Sequence, residues 1–315
     1  MGTQRKLDRT MILELDTYQV LDDRFYAVRG DAALTTHYTG CRWAEGPAYF
    51  PAHRTLVWSD IPNDRLLRLD ETTGTVGVFR HPAGHPNGNT VDPQGRLVTC
   101  EHSHRRVTRT EPDGTISVLA DGYQGRRLNS PNDVVVARDG AVWFTDARYG
   151  IDSDYEGQRA PAELDECYLF RADPTSGDCQ IMADGFQRPT GLAFSPDGDT
   201  LYVADSRANT IRRFDVLDTE QGPLSQLRGG DTFVTGTAPS LDSMRTDTDG
   251  RIWIACSDGV RCYDPDGTHL GTVRTPEAAA NVTFGGPKRN ILYICATNAL
   301  HSIMLAVNGS PLGSR

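Results

Sequence analysis

The sequence predicts an all-β fold, a six-bladed β-propeller closed around a central channel. Three observations lead there. A short apolar run recurs six times, as Leu56-Val57-Trp58, Leu97-Val98-Thr99, Val142-Trp143-Phe144, Leu201-Tyr202-Val203, Ile252-Trp253-Ile254 and Leu292-Tyr293-Ile294. Ten or eleven residues before each run stands one polar residue: Glu45, Asn87, Asn132, Thr190, Asp242 and Asn281. The turns between are written as Asp113-Gly114, Asp139-Gly140, Asp197-Gly198, Asp249-Gly250 and Asp266-Gly267, where glycine accepts the positive φ of a tight hairpin. Strand-turn-strand repeats spaced by roughly 40 to 60 residues are the signature of propeller blades.

Each repeat opens on a strand that carries its polar residue near the start. The next strand ends in an acidic or small residue: Asp60, Glu101, Asp146, Asp205, Cys256 or Ala296. Antiparallel pairing brings the start of the first strand and the end of the second to the same end of the blade. The six polar residues therefore face one mouth of the channel. Asp60, Asp146 and Asp205 have a simpler use, as acceptors for backbone N–H groups in the connecting turns. Residues 22–38 are expected to supply the outer strand of the last blade. The polar segment 149–167 interrupts the period and is expected to cover the mouth. Helix is minor, confined to about 7–20. Residues 1–315 read as one domain, with 1–21 as an N-terminal extension and 307–315 as a flexible tail.

Composition narrows the function. The chain has 315 residues, with 32 Lys and Arg against 42 Asp and Glu, a net charge of −10. Such a balance lacks the basic face that phosphate neutralisation requires, so nucleic acid is excluded as a partner. The Arg105-Arg106 pair reads as solvated charge. No apolar stretch reaches membrane-spanning length, and Met1 to Leu21 lacks the apolar run of a signal peptide. The seven cysteines form no CxxC pair and read as reduced, which points to the cytoplasm.

Hard cations take oxygen ligands from carboxylates, carboxamides and carbonyls. Glu45, Asn132 and Asp242 offer such oxygens with two negative charges, matched to a divalent ion. Zinc-protease motifs, nucleophile elbows and phosphate-binding glycine loops are absent from the sequence. His102 stands at the end of a second strand, within reach of the mouth.

The pieces Glu45-Gly46-Pro47, Asn87-Gly88-Asn89-Thr90-Val91-Asp92, Cys100-Glu101-His102, Arg127 to Val134 with its Ser130-Pro131-Asn132-Asp133 core, Phe144-Thr145-Asp146, Gly191 to Asp197 and Phe284-Gly285-Gly286 resemble the senescence-marker-protein/gluconolactonase family. The resemblance covers about residues 40–300. It implies a six-bladed propeller that hydrolyses lactones with one catalytic divalent metal ion. Calcium is the first expectation, with zinc, magnesium and manganese as alternatives. Carried over, the ligands are Glu45, Asp242 and Asn132. One departure stands out: the family has Pro-Asn-Gly, with a ligand Asn, where this chain has Pro189-Thr190-Gly191. Thr190 offers only a hydroxyl on a shorter arm.

The expected activity is the metal-dependent opening of a lactone ring, a sugar lactone first. Asp242 is the expected general base, with Asp133 and His102 as alternatives. Asn87, Asn281 and Tyr149 are expected to contact substrate. Two other readings use the same architecture: a phosphotriesterase on the same metal, and a non-catalytic ligand-binding propeller.

Overall fold

A computed structural model describes residues 17–219, 222–236 and 240–311. Six antiparallel sheets succeed one another along the chain. Blade 1 is Ala44–Phe50, Thr55–Asp60, Arg65–Asp70 and Val76–Arg80; blade 2 is Pro86–Val91, Leu97–Glu101, Arg106–Thr110 and Ile116–Ala120. Blade 3 is Ser130–Val136, Val142–Ala147, Cys167–Ala172 and Cys179–Phe186; blade 4 is Pro189–Phe194, Thr200–Asp205, Thr210–Thr219 and Gly222–Thr235. Blade 5 is Met244–Thr246, Ile252–Cys256, Gly259–Tyr263 and His269–Val273; blade 6 begins with Ala279–Gly285, Ile291–Ala296 and Ala299–Met304. This is the six-bladed propeller that the repeats predict.

The amino-terminal region supplies two outer strands. Thr35–Tyr38 pairs with Ala299–Met304 and completes blade 6, as expected for residues 22–38. Tyr18–Val20 pairs with His269–Val273 and adds a fifth strand to blade 5. The helix expected over 7–20 is therefore corrected at Tyr18–Val20, because the edge of blade 5 offers backbone partners that an isolated helical turn lacks; residues 7–16 lie outside the described residues. The tail also differs from expectation. Gly309 donates its N–H to Arg289 O (2.7 Å) and Ser310 to Thr246 O (2.9 Å), so residues 307–311 are tied across the end of the channel, while 312–315 lie outside the described residues.

Large aromatic rings fill the wedges between blades. Trp143 of blade 3 meets Phe194 of blade 4 edge-on at 5.7 Å, and Trp253 of blade 5 meets Phe284 of blade 6 at 6.2 Å. Tyr49 of blade 1 stacks on Tyr293 of blade 6 at 5.9 Å. All three tryptophans of the second strands, Trp58, Trp143 and Trp253, are fully buried, and truncating such a side chain typically costs about 3–5 kcal/mol. The seven cysteines are unpaired, and six of them are buried. Arg105 is not solvated: it lies buried, its Nε donating to Leu128 O at 2.6 Å and Asn129 O at 3.0 Å. No helix among the described residues is long and apolar enough to cross a membrane.

Candidate functional site

Pairing between the first and second strands slips in five blades, at Glu45/Ala48, Pro86/Asn89, Pro131/Val134, Pro189/Leu192 and Ala279/Asn281. Each slip falls at or beside the polar residue of its repeat. A bulge bends the strand and re-aims a side chain, so each repeat turns its polar residue out of the pleat. Blade 5 achieves the same placement without a bulge. Asp242 precedes its first strand, held by its N–H to Ala255 O (2.9 Å).

Cross-blade contacts fix the ring further. Ser59 Oγ donates to Asn87 O (2.6 Å), Thr145 Oγ1 to Thr190 O (2.6 Å), and Cys295 Sγ to Glu45 O (3.7 Å). In each case a second-strand side chain grips the ring residue of the next blade. Glycine permits the close approach. A Cβ on Gly46, which has a φ of +52°, would lie 2.1 Å from Asn87 O, and one on Gly88 would lie 2.5 Å from Asp133 Cα. The strand-end acids serve the connecting turns, as expected. Asp60 Oδ1 accepts from Arg42 N, Asp146 Oδ2 from Asn129 N, and Asp205 from Gln187 N and Arg188 N.

The ring residues divide by what their polar atoms already hold. Glu45 is buried; its Oε2 accepts from Gly46 N (2.8 Å) and Asn281 Nδ2 (2.9 Å). Burial pushes its pKa up; the Asn281 hydrogen bond opposes the rise, and the charge of Asp133 adds to it. Asn281 has its other end engaged too, since Oδ1 accepts from Val282 N (2.8 Å). Asn281 thus holds Glu45 in place through Nδ2 and is itself fixed by the backbone through Oδ1.

Asp133 and His102, the alternative bases, already have protein partners. Asp133 is fully buried; Oδ1 accepts from Val134 N (2.9 Å) and Oδ2 from Arg245 Nη1 (3.2 Å). The Nδ1–H of His102 donates to Glu156 O (2.8 Å), and its Nε2 accepts from Asn87 Nδ2 (3.1 Å). Both ring nitrogens are thus occupied and the tautomer is set. Burial pulls the imidazole pKa down to about 4, so the ring stays neutral at ordinary pH. Asn87, in turn, keeps Oδ1 free of any protein partner among the described residues.

Asp242, Asn132 and Thr190 are the uncommitted members. No protein donor of hydrogen-bonding geometry serves the side chains of Asp242 or Asn132 among the described residues. The Thr190 hydroxyl is sealed from solvent beside the Asp242 carboxylate, short of full hydrogen-bond geometry yet close enough to hold the Asp242 pKa down against its burial. Asp242 sits deep in the channel but keeps part of its surface open to it. Burial raises its pKa, and the charges of Glu45, Glu156 and Asp133 raise it further.

Glu156 is the residue that the repeat could not reveal. It follows the short helix Tyr149–Asp152 in the segment expected to cover the mouth. Its carboxyl reaches the charges of Glu45 and Asp242, and burial pushes its pKa up to about 7. Only its place in that covering segment marked it in the sequence. Tyr149 stands beside it, its hydroxyl 2.6 Å from Ser206 Oγ and its ring under the Arg188 guanidinium at 5.8 Å. No group of three or more His, Cys, Asp or Glu among the described residues has the geometry of a metal cage. Asn132 and Thr190 are the neutral oxygen-bearing side chains that stand in the ring beside the acids Glu45 and Asp242.

Comparison with known proteins identifies the family. The chain is 31% identical over 278 residues to a gluconolactonase of Zymomonas mobilis, covering 82% of this chain and 77% of that one. It is 32% identical over 267 residues to a pentonolactonase of Haloferax volcanii, covering 81% and 82%. Among solved structures, a gluconolactonase from Xanthomonas campestris superposes with a TM-score of 0.86 at 39% identity, covering 92% of this chain and 95% of that one. The calcium-binding protein regucalcin of Agrobacterium tumefaciens shares the fold at 21% identity, with a TM-score of 0.73 over 89% of this chain and 97% of that one. Residues 43–298 match the model of the SMP-30/gluconolactonase/LRE-like region, and the chain belongs to that family.

Proposed function

We propose that this protein is a metal-dependent hydrolase that opens a lactone ring, with a sugar lactone as substrate. The observation that carries the reading is a set of oxygen donors at one mouth, Glu45, Asn132, Thr190 and Asp242, whose charge no cationic side chain among the described residues neutralises. The similarity to gluconolactonase and pentonolactonase supplies the substrate class.

The donor set fits a hard divalent ion. Carboxylate, carboxamide and hydroxyl oxygens are what such ions take, the Thr190 hydroxyl is an orphan, and the clustered acids raise one another's pKa. Glu45, Asp242, Asn132 and Thr190 would hold the ion, with calcium as the first candidate. When bound, it supplies Lewis-acid polarisation of the lactone carbonyl.

The chain's own residues do the rest. Asp242 takes a proton from water as the water oxygen attacks the carbonyl carbon. The ring C–O bond then breaks, and the leaving oxygen takes a proton back to become a hydroxyl. Asn87 Oδ1 and Tyr149 orient the sugar hydroxyls. His102 holds the covering segment at Glu156 and aims Asn87 in the same stroke.

The test is a panel of sugar lactones, aliphatic lactones and phosphotriesters, run on protein stripped of metal and then reloaded. Sugar-lactone hydrolysis that vanishes with the metal and returns with it is expected. Full activity after stripping would end the metal assignment. Preference for phosphotriesters would end the substrate assignment.

A further inference from the structure

The other end of the channel has its own chemistry. A cavity of about 60 Å³ opens there, lined by Thr90, Phe194, Arg245, Thr283, Phe284 and Arg289 among others, and rimmed by Ser310 and Pro311. Thr90, Phe194, Thr283 and Phe284 lie toward the far ends of the innermost strands of blades 2, 4 and 6, away from the ring of polar residues.

Two guanidiniums meet this cavity with only one acid between them. Arg245 is 8% exposed; its Nη1 donates to Asp133 Oδ2 (3.2 Å) and Met244 O (2.7 Å). Its Nε and Nη2 have no protein partner among the described residues, and neither is sealed from the cavity. Arg289 donates from Nε to Gly309 O (3.2 Å) and from Nη2 to Ser310 O, while its Nη1 stays open. No carboxylate pairs with Arg289 among the described residues, and burial lowers its pKa. The hydroxyls of Thr90 and Thr283 carry no protein hydrogen bond among the described residues either. Partly buried cationic donors left open are costly unless an anion answers them. Guanidiniums suit phosphate-like oxygens because their N–H groups form a planar fork.

We propose that this rear cavity is a binding site for a small tetrahedral oxyanion, a phosphate or sulfate group, held between Arg245 and Arg289 with Thr90 and Thr283 as neutral donors. The volume suits one such group. The site is separate from the lactone site and does not depend on that reading.

The experiment soaks crystals of the metal-loaded protein in selenate and locates selenium by anomalous scattering. A peak between Arg245 and Arg289 is expected; a peak only at the front mouth, or none, overturns the proposal. In solution, sulfate, inorganic phosphate and a sugar phosphate are titrated calorimetrically, with acetate as control. Tighter binding of the sugar phosphate would identify the phosphate group of a larger molecule as the occupant, and equal or tighter binding of the free ions would identify a free oxyanion. Arg289→Gln should weaken binding at least tenfold and Thr283→Val several-fold. Because Arg289 also holds the tail, Thr283→Val serves if the first variant fails to fold. Binding unchanged in both variants, or acetate bound as tightly as sulfate, also overturns the proposal.

Discussion

At the front mouth, Glu45, Asp242 and Glu156 hold no guanidinium among the described residues; at the rear, Arg289 holds no carboxylate. The same innermost strands build both mouths. Their first residues meet on one side and their last residues on the other; the covering segment adds Glu156 to the first side, and the loop after Gly285 adds Arg289 to the second. Between the two stands the Arg245–Asp133 pair at 3.2 Å, buried on both sides. It is where the basic end reaches into the acidic ring, one residue from Asn132. The contrast teaches that charge in this channel is graded along its axis, and that only its middle is neutralised by the protein itself.

The largest effect should come from removing the base at the acidic end. Asp242→Asn keeps one ligand oxygen and loses the proton acceptor, so turnover should fall by about 10²–10⁴-fold while metal affinity falls less. Calorimetry of metal binding beside turnover numbers separates the two. A parallel loss of both would reduce Asp242 to a ligand.

Glu156→Gln sharpens the contrast by taking one charge from the acidic mouth. Burial holds this carboxyl protonated up to about pH 7. Metal affinity in the parent should therefore rise as pH passes through 7, and the variant should bind about tenfold more weakly at pH 8, a difference of ~1.4 kcal/mol, yet equally at pH 5.5. Stability of the stripped protein follows the opposite course. The folded pKa is raised above its unfolded value, so the contribution of this group is complete below the unfolded pKa and is lost as pH rises through about 7. Thermal melts of the stripped parent and variant at pH 5.5 and 8 check the sign: the stability of the variant relative to the parent should be greater at pH 8 than at pH 5.5.

His102→Ala tests whether the covering segment needs its clamp. Losing the hydrogen bonds to Glu156 O and Asn87 should raise KM roughly thirtyfold, at about 1 kcal/mol for each bond, with a smaller change in kcat. The imidazole pKa is lowered to about 4, so its share of stability is lost as pH falls from the ordinary histidine range through 4. The variant should lack that acid-side loss. An unchanged KM would leave His102 a core residue only.

Thr190→Asn should have the smallest effect. The hydroxyl already faces Asp242 without completing a bond, and a carboxamide would extend the oxygen toward the ring. Metal binding should tighten, by no more than about tenfold, and the range of accepted lactones should narrow. Unchanged affinity with an unchanged lactone panel would mean that Thr190 contributes nothing to the cation site.

Much of this was legible because the propeller is a repeat. Six apolar runs and their Asp-Gly turns located the blades, and the ten- or eleven-residue step back located every ring position from Glu45 to Asn281. What each ring residue holds was not legible. Asn281 looks like Asn132 in the repeat, yet one is bound to Glu45 and the other is uncommitted, a difference made by contacts across 236 positions of sequence. Glu156 lies outside the repeat phase, so periodicity says nothing about it. Tyr18–Val20 became a strand because blade 5 left an edge beside it, and a local pattern does not record a distant edge. Arg245 and Arg289 are 44 positions apart with nothing in the repeat to link them, and only the fold brings both to one cavity.

The strand Thr35–Tyr38 pairs with Ala299–Met304 across some 265 positions, with Thr36 Oγ1 3.0 Å from His301 Nδ1 and His37 Nε2 2.8 Å from Ser302 Oγ. For a chain made from its amino end, this has a consequence in time. The segment that completes the last blade leaves the ribosome before any other blade is made, and its partner emerges last. Until then both offer unpaired backbone to whatever strand is nearby. Ring closure is therefore the step of highest loop-closure entropy, and the stage at which an unfinished molecule is most open to pairing with a neighbour. A ribosome stalled short of residue 299 would carry five nearly finished blades and an early strand still without its mate.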